Sequence, residues 1–413
     1  MVTVFGLGFV GLTTALGFAS LGNKVYGVDV DQERKNILRK GELPFLEPGM
    51  DEVLKEQLNN NFFVTDNVGE AIANSRYIYY CVGTPYGEDG SADLSYLFSA
   101  IDTTIDYIND NVFRVLVTKS TIPPSTTKEK IVPYIRKKGM ISENIGVANN
   151  PEFLREGHCW EDFVHADRIV IGVNDQRSQD MLIDLYKPMN IRIFCVSWNT
   201  SEFIKYLSNT LLATLISYAN EMSQIAEAVG DIDVADAFHI LHMDKRWNGG
   251  DMANYAYPGC GYGGYCLPKD TNALYAQSSI KGFEPPILRE VISTNDKRAG
   301  YIADKITDGI EKTQTIGILG LSFKPLSDDV RDTPAAKIIK SIIKMGYKRI
   351  IAYDPVAVEE FRRSFPELEV EMKESAREVL NIADVVAVIT AWEEFKEAVN
   401  GYSGKIIDCR YYL

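Results

Sequence analysis

A cysteine inside a glycine-rich segment is the residue of this 413-residue chain best suited to covalent chemistry. The segment from Gly261 to Asp270 reads GYGGYCLPKD, and its thiol, Cys266, lies next to a predicted helix start, where the thiolate form is favoured. A thiolate in such a loop can act as a nucleophile. The alternative is that Cys266 is a small buried apolar side chain, which is the usual fate of a free cysteine.

Two further groups of polar residues could supply acid, base and oxyanion chemistry. Glu152, Arg155 and Glu156 come just after a predicted strand, and Lys205 and Asn209 are four residues apart, so they share one face of a long predicted helix. Such residues could act as a base or hold a developing oxyanion. Taken singly, each of these residues could instead be a solvated loop or helix-surface charge.

A glycine pattern at the start of the chain is typical of dinucleotide binding. Gly6, Gly8 and Gly11 follow the first predicted strand and open a helix, in the GxGxxG spacing that brings a helix N-terminus to a pyrophosphate. Asp29 lies about 20 residues further on, where a carboxylate binds a ribose diol and repels a 2′-phosphate. The pattern predicts NAD rather than NADP. The alternative is a glycine turn that binds nothing.

The ends of two later strands carry polar residues that fit the same site. Thr84 follows the strand Tyr77–Val82, and Thr121 follows the strand Arg114–Lys119. Ligands of open α/β sheets lie outside the carboxyl ends of strands. Either segment alone could be only a turn, but together at one sheet edge they are expected to line the cofactor.

The elements around these residues predict an α/β fold with two Rossmann-like doubly wound domains, joined by a long central helix and an all-helical middle domain. We predict an NAD-binding domain over residues 1–199, a central helical domain over 200–310 and a C-terminal domain over 311–413. The expected strands are Val2–Phe5, Lys24–Val28, Phe62–Thr65, Tyr77–Val82, Arg114–Lys119, Ile145–Ala148, Arg168–Gly172, Arg192–Val196, Thr315–Leu319, Arg349–Tyr353, Asp384–Thr390 and Lys405–Asp408, and the long helix is expected over Thr200–Val229.

Charge and cysteine content restrict the partners. The formal net charge of −14 disfavours nucleic acid and anionic membrane surfaces. The chain shows no signal peptide and no apolar run near the roughly 18 residues of a membrane span. Six cysteines without a CxxC pair, and four histidines without an HExxH pattern, predict free thiols, a cytoplasmic location and no metal site.

The segments Pro151–Gly157, Lys205–Asn209 and Gly263–Asp270 together resemble the UDP-glucose/GDP-mannose dehydrogenase family, whose marks are PEFLREG-like, KxxxN and GGxCxPKD-like segments in this order. The resemblance covers nearly the whole chain. It implies NAD-dependent four-electron oxidation of a sugar nucleotide at C6. UDP-glucose is the expected substrate, because Gly261–Asp270 closely matches the bacterial UDP-glucose enzymes of the family.

The resemblance also implies catalytic roles. Cys266 would attack the C6 aldehyde, giving a thiohemiacetal and then a thioester that water cleaves. Lys205 and Asn209 would stabilise oxyanions, and Glu152 would assist thioester hydrolysis. The expected catalytic residues are Cys266, Lys205, Asn209, Asp270, Glu152 and Thr121, of which Asp270 and Thr121 would hold a water that relays the first proton.

Binding residues follow from the same motifs. In the C-terminal domain, Phe323 and Lys324 of a GLSFKP segment would contact the substrate, and the missing full GxGxxG argues against a second dinucleotide. Arg246, in a DxR-like element at Asp244, would reach the substrate of a neighbouring subunit in an expected homodimer. The expected NAD contacts are Gly6, Gly8, Phe9, Val10, Gly11, Asp29, Arg34, Thr84, Thr121, Glu156, Lys269 and Arg331. The expected substrate contacts are Glu152, Phe153, Leu154, Arg155, Lys205, Asn209, Arg246, Tyr262, Gly263, Phe323, Lys324 and Arg410.

Other functions stay open on the sequence alone. Trp247 and Cys260 depart from the residues usual in the UDP-glucose enzymes, which keeps GDP-mannose open as the substrate, whereas the PEFLREG segment disfavours UDP-N-acetylmannosamine. A protein that binds nucleotide sugars without turnover would not need the thiol, lysine and acids at these spacings. A two-electron dehydrogenase of the 6-phosphogluconate type would not need Cys266.

Overall fold

The computed structural model describes residues 1–87, 90–139, 144–244 and 257–413. The chain divides into two compact units, Met1–Leu207 and Ser208–Leu413, and the boundary falls inside the longest helix, Trp198–Val229. This helix begins two residues before the predicted Thr200. The division into three domains at residues 199/200 and 310/311 stays a prediction.

The first unit contains an eight-stranded sheet. Its strands are β1 (Val2–Phe5), β2 (Val25–Val28), β3 (Phe62–Val64), β4 (Tyr77–Tyr80), β5 (Arg114–Thr118), β6 (Ile145–Asn149), β7 (Ile169–Gly172) and β8 (Ile193–Val196). The order across the sheet is β3-β2-β1-β4-β5-β6-β7-β8. Neighbouring strands are parallel except β6 and β7, which pair antiparallel at Asn149 and Gly172. This change of direction was not predicted.

Helices bury both faces of this sheet. They are α1 (Phe9–Ser20), α2 (Gln32–Arg39), α3 (Met50–Gln57), α4 (Val68–Asn74), α5 (Ser95–Tyr107), α6 (Val132–Lys137), α7 (Cys159–Val164) and α8 (Gln176–Tyr186). Successive residues of a strand enter different core clusters: Val115 and Val117 pack in one cluster, and Leu116 packs in the other. Burial on both faces explains the continuous β-branched and aromatic runs of the sequence.

The second unit combines helices with a smaller sheet. After α9 (Trp198–Val229) come α10 (Val234–His242), α11 (Cys266–Ile280) and α12 (Pro286–Thr307). The strands β9 (Ile316–Leu319), β10 (Ile350–Tyr353), β11 (Glu371–Met372), β12 (Val385–Val388) and β13 (Lys405–Asp408) form a parallel sheet in the order β11-β10-β9-β12-β13, with α13 (Pro334–Lys344), α14 (Val358–Ser364), α15 (Ala376–Ile382) and α16 (Glu393–Val399) between them. The two-residue strand β11 was not predicted, and Cys266, which was expected in a loop next to a helix start, is the first residue of α11.

Two kinds of feature are missing from the described part of the chain. None of its helices is long and apolar enough to cross a bilayer. Within the same residues, no group of three or more His, Cys, Asp or Glu side chains is arranged to hold a metal ion.

Candidate active site

The turn between β1 and α1 has the close backbone approaches that require glycine. Gly6 has a φ of +85°, and a Cβ there would lie 2.7 Å from the carbonyl oxygen of Cys81. A Cβ on Gly11 would lie 1.7 Å from the carbonyl oxygen of Gly6. Neither backbone neighbour can move without disturbing the sheet, so both positions exclude every other residue type.

The middle glycine of the turn is open instead. A Cβ at Gly8 would have no neighbour within 4 Å among the described residues. Helix α1 begins at Phe9, and the N–H groups of its first turn have no partner inside the helix. The space beside Gly8 therefore suits an anionic group held by backbone amides, which is the fit expected for a pyrophosphate.

Asp29 directly follows β2 next to this turn and is held in place on two sides. Its Oδ2 accepts a hydrogen bond of 2.6 Å from the Leu7 amide, and its Oδ1 accepts one of 2.8 Å from the Asp31 amide. The Arg34 guanidinium donates to Oδ2 over 3.2 Å. The carboxylate is thus preoriented at the strand end where a ribose diol would bind.

The exits of β4 and β5 are tied to each other. The Thr84 hydroxyl donates to the carbonyl oxygen of Thr121 over 2.8 Å, and the Ser120 hydroxyl donates to that of Val82 over 2.6 Å. Thr84 and Thr121 therefore lie on the same edge of the sheet as the glycine turn, as the sequence predicts.

Glu152 and Lys205 form a buried ion pair in the first unit. The Lys205 Nζ lies 2.7 Å from the Glu152 Oε1, and both side chains are 5% exposed. The Leu154 amide donates to the other carboxylate oxygen over 2.6 Å. Burial acts to raise the pKa of Glu152, but Lys205, the Leu154 amide and Lys119 outweigh it, so that the pKa is lowered. Glu152 is held as a carboxylate.

The rest of the segment after β6 has separate partners. The Arg155 guanidinium forms an ion pair with Asp162, in which its Nη2 lies 2.7 Å from the Asp162 Oδ1. The Phe153 ring lies under the Arg168 guanidinium at 4.2 Å and lies 5.8 Å from the Lys205 ammonium. Glu156 and Leu154 are half-buried. Glu152 contacts α9 through its ion pair with Lys205.

In the second unit, Cys266 is the first residue of α11 and is half-buried. Four residues along, Asp270 is fully buried between Lys269, whose Nζ lies 2.5 Å from Oδ1, and Asn209, whose Nδ2 donates to Oδ2 over 2.5 Å. Burial acts to lower the pKa of Lys269, but Asp270 and the Cys266 thiol outweigh it and raise that pKa. A helix N-terminus and a nearby ammonium both stabilise a thiolate.

The glycine loop before Cys266 is held by side chains of α9 and α12. Asn220 accepts from the Gly259 amide over 2.7 Å, and Arg298 donates to the Gly259 carbonyl over 2.7 Å. Asn295 accepts from the Tyr262 amide over 2.8 Å and donates to the Tyr262 carbonyl over 3.1 Å. These bonds fix the backbone that leads to the thiol.

The predicted substrate residues of this unit gather around the same loop. A Cβ on Gly259 would lie 2.4 Å from the Arg410 guanidinium, and a Cβ on Gly264 would lie 2.9 Å from the Phe323 ring. A Cβ on Gly263 would meet the carbonyl oxygen of Asp332 at 2.6 Å. The Arg410 Nε is buried, and no acceptor of the described residues reaches it. The loop thus brings Tyr262, Gly263, Phe323 and Arg410 together.

Lys324 and Arg331 lie beside this group. The Lys324 ammonium is 5.4 Å from the centre of the Phe323 ring, and the Arg331 guanidinium is 4.5 Å from that of Tyr265. Arg331 is also paired with Asp329, with its Nη2 at 2.6 Å from Oδ2. The predicted residue Arg246 lies outside the described residues, as does the rest of the DxR-like element after Asp244.

Sequence reasoning missed the polar residues that support the site. Asn295 and Arg298 were overlooked although they share the buried face of α12 with Val291 and Ile302. Polar residues at apolar positions of a helical pattern were the available signal, because buried polar groups need partners. Lys119 was named only as part of a strand end, and it is buried.

Comparison with known families covers the chain in three parts. Residues 1–190 match the NAD binding domain of the UDP-glucose/GDP-mannose dehydrogenase family, residues 199–297 match its central domain, and residues 317–413 match its UDP binding domain.

Individual proteins are similar over nearly the whole length. The UDP-glucose 6-dehydrogenase of Rickettsia felis is 36% identical over 403 residues, with 96% of this chain and 87% of that protein covered. The UDP-glucose 6-dehydrogenase YwqF of Bacillus subtilis is 36% identical over 401 residues, which cover 96% and 88%. The structure of a UDP-glucose dehydrogenase from the hyperthermophilic archaeon Pyrobaculum islandicum is 34% identical with a TM-score of 0.92, covering 100% of this chain and 94% of that one. The chain therefore belongs to the UDP-glucose/GDP-mannose dehydrogenase family, and its cofactor is NAD.

Proposed function

We propose that this chain oxidises the C6 alcohol of UDP-glucose to the carboxylate. One UDP-glucose, two NAD⁺ and one water would give UDP-glucuronate, two NADH and three protons. The observation that carries the proposal is the position of Cys266, at the start of α11 and beside the buried group of Lys269, Asp270 and Asn209. When bound, NAD supplies the hydride acceptor for both oxidation steps.

Cys266 would keep the half-oxidised sugar on the protein. Its thiolate adds to the C6 aldehyde and forms a carbon–sulfur bond, and the aldehyde oxygen takes a proton to give a thiohemiacetal. Loss of the second hydride from C6 and of the hydroxyl proton leaves a thioester, whose carbon–sulfur bond water then breaks to release the carboxylate and the thiol. A covalent intermediate prevents the reactive aldehyde from leaving between the two oxidations.

The remaining polar residues would hold charge and protons. Lys205 and Asn209 stabilise the oxyanions that develop at C6, as donors fixed before the reaction. Glu152, held ionised by Lys205, orients the water that attacks the thioester. Asp270 and Thr121 hold the water that takes the first proton.

UDP-glucose is favoured over GDP-mannose by the relatives. The two curated relatives and the archaeal structure described above carry UDP-glucose in their names. Phe323, Lys324 and Arg410 would bind the nucleotide sugar, because they gather at the glycine loop and the buried Arg410 Nε lacks an acceptor among the described residues. GDP-mannose stays the second candidate, on the departures at Trp247 and Cys260.

We also propose a homodimer that forms through α9. Phe203, Leu207, Leu211 and Tyr218 are between 45% and 52% exposed. Their helical spacing places them on one strip of α9, and an exposed apolar strip favours association with another protein surface. A second copy of the chain would cover it, and Arg246 would reach the substrate of the partner.

The test is the NADH yield of the purified protein with UDP-glucose, GDP-mannose and UDP-N-acetylmannosamine in separate reactions run to completion. The proposal expects about two NADH for each UDP-glucose, from the four-electron balance, and little with the other two. One NADH for each UDP-glucose would replace it with a simple alcohol dehydrogenase. No NADH with any sugar nucleotide would favour a binding protein.

A further inference from the structure

Lys119 is a buried lysine close to Glu152, and it has no role in the mechanism proposed above. Lys119 is 5% exposed, and its Nζ donates to the Asn150 Oδ1 over 3.0 Å. The Tyr186 hydroxyl donates to the same oxygen over 2.5 Å, and the Asn150 Nδ2 donates to the Val170 carbonyl over 2.8 Å. The partners in these three bonds lie directly after β5, in α8 and in β7, so the Asn150 side chain is held from three sides.

Asn150 sits two residues before Glu152, so this arrangement controls where the carboxylate lies. The Asn150 amide also donates to the Thr118 carbonyl over 2.9 Å. The backbone before Pro151 is therefore bonded to the end of β5. Lys119, the residue after β5, holds the Asn150 side chain at the same place.

Lys119 is buried without an ion-pair partner among the described residues. Among the described residues its ammonium has Asn150 as its hydrogen-bond partner and no acid within ion-pair distance. Burial lowers the pKa of Lys119, and the nearby Cys81 and Glu152, which act to raise that pKa, do not offset the effect of burial. Burying an ammonium in this way is costly, and a buried charge that is not paired is expected to serve a purpose.

The titratable groups that face Glu152 come from four elements. Lys205 approaches from α9, Lys119 from the end of β5, Cys81 from the end of β4 and Cys159 from the start of α7. Burial raises the pKa of Cys81 to about 12 and raises that of Cys159 as well, so both thiols stay neutral at physiological pH. The two ammonium groups are left to hold Glu152 ionised.

Lys205 has two tasks that compete. It pairs with Glu152 in the structure, and in the proposed mechanism it also stabilises an oxyanion at C6. Each time its ammonium turns to the substrate oxygen, the buried Glu152 loses its direct partner, and an uncompensated buried carboxylate tends to take up a proton. A second fixed positive charge would prevent this.

We propose that Lys119 is a positioning residue for Glu152, which it serves by anchoring Asn150 and by supplying the positive charge that remains when Lys205 engages the substrate. The proposal rests on the proposed role of Glu152 in thioester hydrolysis. Its consequence is that loss of the Lys119 charge slows the hydrolysis step more than the oxidation steps.

The experiment compares Lys119→Gln and Lys119→Met, which remove the charge, with Lys119→Arg, which keeps it, and with Tyr186→Phe, which removes the other donor to the Asn150 oxygen. Glu152→Gln serves as the reference for blocked hydrolysis. Each full-length protein is mixed with UDP-glucose and NAD and quenched within one turnover, and intact mass gives the fraction that carries an acyl adduct on Cys266. The pH dependence of kcat is measured in parallel.

The expected result separates charge from hydrogen bonding. Lys119→Gln and Lys119→Met accumulate the adduct as Glu152→Gln does, and their kcat falls about tenfold at neutral pH. The acidic limb of their pH profile moves up by about one unit, because loss of a positive charge raises the pKa of Glu152 and a protonated Glu152 cannot act as a base. Lys119→Arg and Tyr186→Phe keep the limb of the unaltered protein.

Two other results would overturn the inference, and they differ from each other. If Glu152→Gln accumulates the adduct but neither Lys119→Gln nor Lys119→Met does, and their acidic limb does not move, Lys119 has no part in hydrolysis and the role of Glu152 stands. If Glu152→Gln itself releases product at the normal rate without an adduct, the proposed role of Glu152 fails and the inference about Lys119 fails with it.

Discussion

The two sheets of this protein begin with the same local structure and use it differently. In the first unit, Gly6 follows β1 with a φ of +85°, and Asp29 follows β2. In the second unit, Gly320 follows β9 with a φ of +97°, and Asp354 follows β10. In both, the aspartate accepts a hydrogen bond from the amide directly after the glycine, over 2.6 Å in the first unit and 2.8 Å in the second.

The two aspartates differ in what else they bind. Asp354 is occupied on both oxygens by donors of its own unit, namely the amides of Leu321, Ser322, Val356 and Ala357, the Ser322 hydroxyl and the Trp392 indole. Asp29 has two amides and Arg34. The second aspartate thus closes a turn, whereas the first keeps capacity to accept a bond from a ligand.

The residue two positions after the first glycine of each turn shows the same contrast. In the first unit, Gly8 is open and α1 begins at Phe9, so a helix N-terminus follows at once. In the second unit, Ser322 stands two residues after Gly320, and the next helix begins at Pro334. A glycine and an aspartate after adjacent strands therefore stabilise the same kind of turn in both units. The open glycine and the immediate helix start are what make a dinucleotide site.

The largest expected effect comes from the second aspartate. Asp354→Asn turns one acceptor of several N–H donors into a donor, so we expect the free energy of unfolding to fall by about 3 kcal/mol, with NAD affinity retained. Urea unfolding and NAD titration would measure the two quantities. Asp29→Asn, the matched change in the first unit, should lower the free energy of unfolding by about 1 kcal/mol. Equal losses from the two variants would remove the contrast.

The next effect concerns the open glycine. Gly8→Ala should weaken NAD binding about 100-fold, because the added methyl group occupies the space of the pyrophosphate, with little change in stability since it meets no neighbour. Gly300→Ala is the control, because a Cβ at Gly300 in α12 is equally open. Calorimetric titration with NAD checks this. Normal NAD affinity in the Gly8 variant would place the phosphates elsewhere.

A smaller effect is expected in cofactor choice. Asp29→Asn should lower the preference for NAD over NADP about tenfold in kcat/KM, since the amide no longer repels a 2′-phosphate and Arg34 lies beside it. Initial rates with each cofactor at saturating UDP-glucose measure the ratio. An unchanged ratio would mean that Asp29, like Asp354, only closes a turn.

The sequence predicts the fold well because it rests on local signals. The GxGxxG pattern, the run of buried strands and the length of α9 can all be predicted from neighbouring residues. Nine of the twelve predicted strands extend one or two residues beyond the observed strand at one or both ends. The antiparallel pairing of β6 and β7 was not predicted, because nothing in the composition of Ile169–Gly172 specifies its direction. The two residues of β11 are too few to form a pattern.

The site was harder to predict than the fold, because its contacts join distant parts of the chain. Asp270 was named, but its partner Asn209 lies a long way before it, and no spacing rule connects them. Asn220 and Lys119 are similar cases, since each acts through a residue on another element. The resemblance supplied candidate residues, and the structure supplies their contacts within each unit.

The central claim is that Cys266 carries the sugar between two oxidations, and Cys266→Ser tests it most directly. UDP-glucuronate and NADH are measured together for this variant, for the unaltered protein and for Cys195→Ser, a half-buried thiol on β8, as the control. We predict that Cys266→Ser lowers UDP-glucuronate formation on the order of a thousandfold, because a hydroxyl is a far weaker nucleophile than a thiolate, while Cys195→Ser behaves as the unaltered protein. Unchanged UDP-glucuronate formation by Cys266→Ser would contradict the covalent mechanism.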